Sequence, residues 1–400
     1  MKAIHFADVH IGVENYGKVD PETGENTRTL DILAALDEMV DYAIEEAVDV
    51  IIFAGDAFKS REPTPTQVNY FAQRIHKLAE HGKYVILLTG NHDLPFHATK
   101  AHALQMFRTL QVRNTQVADK IATFANRLQV VSVPWVNRSR MLTAEANAGK
   151  SHAEINAAIT ETVEALLDGA LAKLHPGKPA IIVAHGSLSG ATAGSERGMT
   201  LNAGADPVLP VELFDQPEVD YAALGHIHRH QVAGKRTPVV YSGSLQRVDF
   251  GEEGQEKGFC VLDWGKNDFH GWKFVPVKAR EFVTVSMDLT TEAGMRLYEV
   301  AKRDSLMVKG LHEAVVRLKL RCNAGQPVDD AELRRLYAGS HYFAGIAKEV
   351  VGEVRPVLSA TPDDWDPLTM LERFLSRSGK DAARQAELRK LAEGLLREDD

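Results

Sequence analysis

Short apolar runs alternate with amphipathic stretches over roughly the first 275 residues of the chain. Five of these runs predict buried strands: residues 3–7, 50–54, 85–89, 181–184 and 221–224. Further strands are expected at residues 128–133 and 239–241. Three stretches between the strands keep helical spacing and predict long helices: one after Arg28, one from Thr64 or Thr66 to Gly82, and one from Ala153 to Leu174. This alternation indicates a layered α/β domain.

From about Glu281 the pattern changes to that of a small α+β unit. Strands are expected at residues 282–287, 313–321 and 346–354, with helices at residues 292–303 and 329–337. A stretch containing Pro362 and three aspartates predicts a linker, and leucines at helical spacing follow it. The expected organisation is a first domain over residues 1–275, a capping domain over 281–355, a linker over 356–367 and a helical segment over 368–400.

Each of the five apolar runs ends in a polar cluster. The clusters supply carboxylate, amide and imidazole groups but no thiolate: Asp8 and His10; Asp56; Asn91, His92 and Asp93; His185; His226 and His228. In open α/β sheets, ligands collect where strands end, and this mixture of groups suits two hard-to-borderline divalent cations. Asp56 is expected to bridge them. Asp8 and His10 would point the same way along an extended segment, so the sequence predicts a two-metal hydrolytic site.

Composition narrows the class of protein further. The chain has 400 residues, 44% hydrophobic and 25% charged, as in an ordinary globular protein of two or three domains. Its two cysteines exclude a disulfide framework and favour a reducing cytoplasm. No export signal and no membrane-spanning run is expected. Because the net charge is −9, binding to nucleic acid would need a local basic surface.

The ordered set of clusters resembles the calcineurin-like metallophosphoesterases over about residues 1–275. The resemblance implies a four-layered α/β/β/α sandwich and two metal ions, most often Mn²⁺. It also implies that Asp8, His10, Asp56 and His228 hold one ion, and that Asp56, Asn91, His185 and His226 hold the other. His92 would face the scissile phosphate as a catalytic residue, and Asp93 would be the carboxylate that orients His92.

The loops at residues 6–12, 185–198 and 241–259 narrow the resemblance to the nuclease subunits of bacterial DNA-repair complexes. That subgroup implies exonuclease or endonuclease activity at DNA ends or hairpins, in double-strand break repair and recombination. It also implies an ABC-type coiled-coil ATPase partner that docks on the C-terminal helical segment. Helices near Val68–Leu78 and His97–Phe107 would form a homodimer. Intramolecular packing of the same helical segments is the alternative.

Local basic residues provide candidate DNA contacts despite the acidic total. Residues 296–321 contain seven basic and three acidic residues. Phosphate contacts require such clusters, although a solvated surface would look the same. Lys59 stands where family members often carry Asp or His, and it lies near Arg61 on a loop that follows Asp56. The candidate DNA-binding residues are Lys59, Arg61, Arg197, Arg247, Arg317, Lys319 and Arg321.

Two other functions remain open at this point. The first is a stand-alone phosphodiesterase that acts on nucleotides or small phosphodiesters, with the C-terminal parts only capping its site. The second is a DNA-end scaffold in which the metals are structural. The presence of Asn91 and of the additional His92 favours catalysis over a structural site, because structural sites are closed by their ligands.

Overall fold

The computed structural model describes residues 1–95, 100–136, 150–192, 206–266, 268–303, 310–351, 371, 375 and 382–395. Its described residues belong to two compact units. The first comprises residues 1–320 and 328–348, and the second lies within residues 321–327 and 349–400. The predicted linker over residues 356–367 falls outside the described residues. The predicted domain boundaries remain predictions.

The described secondary structure consists of strands in three larger sheets and one short pair, with helices between them. The strands are β1 (Lys2–Phe6), β2 (Val50–Phe53), β3 (Tyr84–Leu88), β4 (Thr115–Ala118), β5 (Ala122–Ala125), β6 (Gln129–Val133), β7 (Ala180–His185), β8 (Ser187–Leu188), β9 (Val208–Leu209), β10 (Tyr221–Gly225), β11 (Gln231–Ala233), β12 (Val239–Tyr241), β13 (Gly258–Trp264), β14 (Phe269–Pro276), β15 (Phe282–Asp288), β16 (Val315–Asn323) and β17 (Tyr342–Val351). The helices are α1 (Thr27–Glu45), α2 (Pro65–Glu80), α3 (Gln105–Thr109), α4 (His152–Leu171), α5 (Glu292–Arg303), α6 (Asp330–Leu336) and α7 (Ala382–Leu395).

Two six-stranded sheets of similar design form the body of the first unit. The first has the strand order β14-β13-β1-β2-β3-β4, and the second has the order β11-β12-β10-β7-β6-β5. In each sheet four neighbouring strands run parallel. The first sheet adds the antiparallel pairings of β13 and β14 on one side, and the second has an antiparallel strand on each side. Parallel strands bring their carboxyl ends to the same end of the sheet, so the loops that follow them lie together.

The two sheets pack face to face through a mainly apolar layer, in which the buried His5 of β1 lies 3.0 Å from the Tyr221 hydroxyl of β10. One buried cluster contains Ile52 and Ile86 of the first sheet together with Ile181 and Ala223 of the second. Helices α1 and α2 cover the outer face of the first sheet, and α4 covers that of the second. The predicted four-layered α/β/β/α sandwich is therefore confirmed. Since both faces of each sheet are covered, the parallel strands are nearly continuous apolar runs.

Helix termini follow local sequence rules. The hydroxyl of Thr64, one of the two predicted caps, accepts a hydrogen bond from the backbone N–H of Gln67, and the Gln67 side-chain oxygen accepts one from the backbone N–H of Thr64. This capping box satisfies two N–H groups that the helix leaves unpaired. Helix α5 spans the predicted residues 292–303. Strand β17 begins four residues earlier than predicted, because the run from Tyr342 onward is also extended.

Beyond the sandwich, β15, β16 and β17 form a three-stranded sheet. Strand β16 alternates buried and more exposed residues from Val316 to Asn323, so one face is apolar and the other polar. Among the helices that the structure describes, none is long and apolar enough to cross a membrane.

Candidate metal centre

The predicted ligand residues come together at one edge of the sandwich, where β1, β2, β3, β7 and β10 end. All of them are buried, with no more than 5% of the residue exposed: Asp8, His10, Asp56, Asn91, His185, His226 and His228. Carboxylates and imidazoles are rarely buried together unless they are paired or bind a metal. The five strand ends therefore converge on one buried polar centre.

Asp8, His10 and His228 form the first group in this centre. One potential ligand atom from each lies within 4.8 Å of those of the others. The Nε2 atoms of His10 and His228 are 3.0 Å apart, and the His10 Nε2 is 3.8 Å from Oδ2 of Asp56. This group contains three of the four residues that the family resemblance implies for one metal, and the fourth, Asp56, lies next to His10.

Asp56, His185 and His226 form a second group with the same spacing limit. The His185 Nε2 lies 3.3 Å from Oδ2 of Asp56 and 3.0 Å from Oδ1 of Asn91. The His226 Nδ1 lies 3.1 Å from the same Asn91 oxygen. Asp56 also belongs to a group with His10 and His92, so its carboxylate is common to the ligands of both predicted ions.

These distances suit divalent cations. Two ligand atoms about 2.1 Å from one cation, at right angles to each other, are about 3.0 Å apart. That is the separation of the two Nε2 atoms of His10 and His228. A direct hydrogen bond between two imidazole nitrogens would satisfy only this pair, whereas a cation accepts the lone pairs of both. The donor set therefore fits two metal ions that prefer mixed nitrogen and oxygen ligands.

The backbone at the ligand positions is strained. Asp8, His10, Asp56 and His226 have positive φ angles of 54°, 50°, 64° and 100°. Residues with a Cβ rarely adopt this region, and such residues concentrate at functional sites. The expectation that Asp8 and His10 lie on an extended segment is wrong, because β1 ends at Phe6. Left-handed turns, not strand alternation, direct these two side chains into the site.

Gly90 allows the loops after β2 and β3 to approach each other. A Cβ at this position would lie 2.1 Å from Oδ1 of Asp56 and 2.6 Å from the Asp56 backbone nitrogen. No side chain fits at that distance, so only glycine permits the Asp56 carboxylate to lie against this loop.

The buried charges shift one another's pKa values. Burial alone would raise the pKa of Asp56, but the positive charges of His185 and His92 hold it well below its ordinary value. Burial raises the pKa of Asp8 to about 7, with neighbouring histidines opposing the shift. Burial disfavours charged His185, yet Asp56 and Asp8 outweigh this and raise its pKa to about 9. Without cations the centre therefore holds protons that metal binding must displace.

Outer contacts fix the orientation of two histidine rings. The His185 Nδ1 donates to the backbone carbonyl of Ala54 at 2.7 Å, which leaves Nε2 to face Asp56 and Asn91. The His228 Nδ1 lies 2.9 Å from Oε1 of Glu252. Burial would raise the pKa of Glu252, but His228 and Lys257 hold it well below its ordinary value. Such outer partners fix the tautomer of a metal-binding histidine.

Sequence reasoning did not identify three residues of this site: Trp135, Glu252 and Lys257. The Trp135 ring lies 5.1 Å from the His226 ring, centroid to centroid. Trp135 follows a buried strand, β6, and that position was the available signal. Nothing in the sequence distinguishes Glu252 from the adjacent Glu253.

His92 and Asp93 lie beside the centre, but their relation differs from the prediction. His92 is half-buried, and its Nδ1 lies 2.6 Å from the backbone carbonyl of Lys59. Because a carbonyl only accepts, Nδ1 donates and Nε2 is directed elsewhere. The Asp93 carboxylate instead accepts hydrogen bonds from the backbone N–H groups of Asp56, Ala57 and Gly90 at 2.9–3.0 Å. Asp93 therefore orients the loop that carries Asp56, and the Lys59 carbonyl orients His92.

The candidate DNA-binding residues have different surroundings. Lys59 is exposed and Arg61 is half-buried, and Asp56 and Asp206 lie close enough to Arg61 to act on its charge. Arg197 lies outside the described residues. Arg247 is buried, and its guanidinium donates to the backbone carbonyls of residues 255, 279 and 280 at 2.7–3.2 Å. The expectation that Arg247 contacts DNA is wrong, because these bonds hold its guanidinium in the interior.

Three candidates lie on strand β16. The Arg317 guanidinium carbon lies 4.2 Å from the centre of the Phe250 ring, and its Nε donates to the Thr284 hydroxyl at 2.8 Å. Lys319 is exposed on the polar face of the strand. In the second unit, Arg321 pairs with Glu349 at 3.5 Å. Whether these residues contact DNA stays a prediction.

Known proteins resemble the chain in sequence. The SbcD subunit of the nuclease SbcCD from Escherichia coli strain K12 is 28% identical over 264 residues, and the protein of the same name from strain O157:H7 gives the same values. The match covers 64% of this chain but only 63% of each relative, so the chain spans less than two thirds of their length. A solved dimetal phosphatase from Danio rerio has a TM-score of 0.41 and 10% identity, over 70% of this chain and 99% of its own.

The family of this chain follows from a sequence model of the family, and the solved phosphatase, with its TM-score of 0.41, adds nothing to the assignment. A sequence model of the calcineurin-like phosphoesterases matches residues 1–230, which include all the predicted metal ligands. That region forms most of the four-layered sandwich, and its strand ends bring two aspartates, an asparagine and four histidines together. The chain belongs to the calcineurin-like phosphoesterase family.

Proposed function

We propose that this protein is a two-metal DNA nuclease subunit that hydrolyses phosphodiester bonds at DNA ends or hairpins in double-strand break repair and recombination. The observation that carries the proposal is the convergence of the buried ligands on two groups, with the Asp56 carboxylate 3.8 Å from His10 of the first group and 3.3 Å from His185 of the second, and with half-buried His92 beside them. The similarity to the SbcD subunit of the nuclease SbcCD supports DNA as the substrate.

Each metal ion would be held by side chains from several strand ends. Asp8, His10, Asp56 and His228 would hold one, and Asp56, Asn91, His185 and His226 the other. Mn²⁺ is the proposed ion because the donors are nitrogen and oxygen atoms without thiolate. When bound, the two ions supply an activated water and neutralise charge on the phosphate oxygens.

His92 is proposed to act on the leaving oxygen of the substrate. Its Nδ1–H is fixed on the Lys59 carbonyl, and the ring lies 5.1 Å from that of His10, centroid to centroid. A proton held at its Nε2 would stabilise the transition state or pass to the leaving group, as a general acid does. Asp93 is proposed as a positioning residue, since it binds the loop of Asp56 and not the His92 ring.

The DNA backbone is proposed to contact Lys59 and Arg61 near the metal centre, and Arg317, Lys319 and Arg321 on β16. Lys59 and Lys319 are exposed, as phosphate contacts require. Arg197 remains a candidate from the sequence. Electrostatic contacts of this kind position a backbone and do not read its bases.

Partners and location complete the proposal. An SbcC-like ABC-type coiled-coil ATPase would dock on the C-terminal helical segment, of which Ala382–Leu395 is a described helix. The chain would form a homodimer through helix α2 and the neighbouring stretch that ends at Phe107. We place it in the cytoplasm, where the two cysteines, both free and buried, would stay reduced.

A nuclease assay with end-labelled duplex and hairpin DNA and Mn²⁺ tests the function. We expect cleavage that EDTA abolishes and that Asp56→Asn reduces by at least about 10³-fold while the fold is retained, because the variant loses the shared carboxylate charge. Circular dichroism and the thermal unfolding midpoint check the fold. Full activity of Asp56→Asn would refute the two-metal mechanism.

The same assay separates the other two functions. Turnover of a cyclic nucleotide that is equal to or faster than that of duplex DNA would indicate a stand-alone phosphodiesterase. DNA binding without cleavage at any Mn²⁺ concentration would indicate a scaffold with structural metals.

A further inference from the structure

A buried ion pair lies directly behind the metal centre. Glu252 ends a 3-10 turn and Lys257 directly precedes strand β13, and the two residues are 0% and 2% exposed. Their charged groups approach to 2.5 Å. Neither residue has a role in the mechanism described above.

The pair holds His228 at two points. Oε1 of Glu252 accepts the hydrogen bond of the His228 Nδ1–H at 2.9 Å, which fixes the ring. The Lys257 ammonium donates to the His228 backbone carbonyl at 2.9 Å, which fixes the main chain of the same residue. With Nδ1 occupied by its proton, the ring presents the lone pair of Nε2 toward Nε2 of His10.

Further hydrogen bonds keep the pair in this arrangement. Lys257 also donates to the Ser244 hydroxyl at 2.9 Å, and the Val248 N–H approaches Oε2 of Glu252 at 3.3 Å. Each carboxylate oxygen therefore has a donor, and each end of His228 has a partner. A buried network of this kind fixes one geometry because partial satisfaction would leave a costly unpaired charge.

Stability alone does not account for the pair. Replacing a buried ion pair by well-packed apolar residues is often neutral or stabilising, since desolvation offsets the attraction between the charges. A carboxylate behind a metal-binding histidine, however, fixes its tautomer and raises its basicity. Lys257 balances the charge of Glu252, so the carboxylate acts on the ring without adding net negative charge to the interior.

We propose that Glu252, held by Lys257, is a positioning residue that directs Nε2 of His228 to the first metal ion. The inference rests on the proposed function through the assignment of His228 as a ligand. His185 receives its outer contact from a backbone carbonyl instead. Loss of Glu252 should therefore weaken the binding of the ion that His228 holds and leave the binding of the other ion unchanged.

Mn²⁺ titration of the full chain by calorimetry tests the proposal, together with the electron paramagnetic resonance spectrum of bound Mn²⁺. In Glu252→Gln we expect one ion to bind about 10–100-fold more weakly. At a Mn²⁺ concentration that fills both wild-type sites, the variant should lose the signal of coupled ions and show that of an isolated ion. Exposed Glu256 on the same loop is the matched control, and Glu256→Gln should bind both ions like the wild type.

A second variant separates positioning from folding. Glu252→Met combined with Lys257→Met removes both charges, so we expect an unfolding midpoint near that of the wild type. The affinity for one Mn²⁺ ion should still fall as in Glu252→Gln. Two ions bound with wild-type affinity in this variant or in Glu252→Gln would overturn the inference alone. A wild-type chain that binds fewer than two Mn²⁺ ions would overturn the proposed function as well.

Discussion

Asp56 lies near histidines of both ligand groups, and its backbone is held by Asp93. Its carboxylate faces His10 on one side and His185 on the other, and its backbone nitrogen binds Asp93. Its φ of 64° is unfavourable for a residue with a side chain. Such strain persists only where the surroundings hold it. Here Asp93 supplies that hold, since it also binds the N–H groups of Ala57 and Gly90.

Replacing His92 by alanine should separate catalysis from metal binding. The ring lies beside the ligand groups, so we expect kcat to fall about 10²–10⁴-fold, the usual worth of an acid catalyst. Calorimetry should still find two Mn²⁺ ions per chain. His270, exposed on strand β14, provides the control, because His270→Ala should leave kcat unchanged. An unchanged kcat in His92→Ala would exclude the proposed role.

Replacing Asp93 by asparagine should act through Asp56. The amide has one oxygen to accept from three backbone N–H groups, so buried donors lose their partners at a cost of about 1–3 kcal/mol. We expect a lower unfolding midpoint together with weaker Mn²⁺ binding. Denaturation and calorimetry on the same preparation measure both quantities. Weaker turnover with unchanged metal affinity and stability would instead return Asp93 to a direct role beside His92.

At the scale of elements, the ends of parallel strands assemble the centre and β16 offers a polar face. Arg317 and Lys319 share that face, while Val316 and Leu318 are buried on the other. The alternation follows from the two-residue period of a strand. A flexible loop would not keep basic residues at a fixed spacing, whereas a strand does.

Charge reversal at Lys319 tests this face. If Lys319 contacts a phosphate, Lys319→Glu should weaken duplex binding for any sequence and lower the slope of log affinity against log salt by about 0.9 or more. Fluorescence anisotropy over a range of salt concentrations measures the slope. Lys273→Glu, at an exposed position on β14, carries the same charge change and should have less effect. Equal slopes for the two variants would contradict the proposed contact.

At the scale of the whole molecule, the protons of the metal centre couple stability to pH. Because the pKa of His185 is raised to about 9, protonated His185 adds to the free energy of unfolding. This contribution is complete below about pH 6.5 and is lost as pH rises through 9. The pKa of Asp8 is raised to about 7, so the contribution of protonated Asp8 to the free energy of unfolding is lost as pH rises through 7. Both groups therefore make the metal-free protein less stable toward alkaline pH.

We expect the unfolding midpoint of EDTA-treated protein to decrease as pH rises from about 7 to about 8.5. The increase in midpoint on adding Mn²⁺ should become larger over the same interval. The gain grows because the ligands no longer hold protons that the ions must displace. Scanning calorimetry with and without Mn²⁺ measures both trends. A gain that is independent of pH would show that metal binding releases no protons.

Much of the fold was predictable because it is local. Apolar runs located strands β1, β2, β3, β7 and β10 to within a residue or two, and helix α5 to the residue. Strand β13 was missed, although it lies beside β1 in the first sheet. Its apolar residues are a local signal for a strand, but its antiparallel pairing with β1 joins distant parts of the chain, and a local pattern carries no information about such pairing.

By itself, the sequence determined which residue types stand at the strand ends, and these predict a two-metal centre. Only the tertiary structure decided how they are held. Asp8 and His10 reach the centre through left-handed turns. Asp93 supports Asp56 and not His92, and Glu252, but not its neighbour Glu253, supports His228. Ligand identity is written in the residue, but orientation depends on partners that are distant in sequence, and folding alone brings those together.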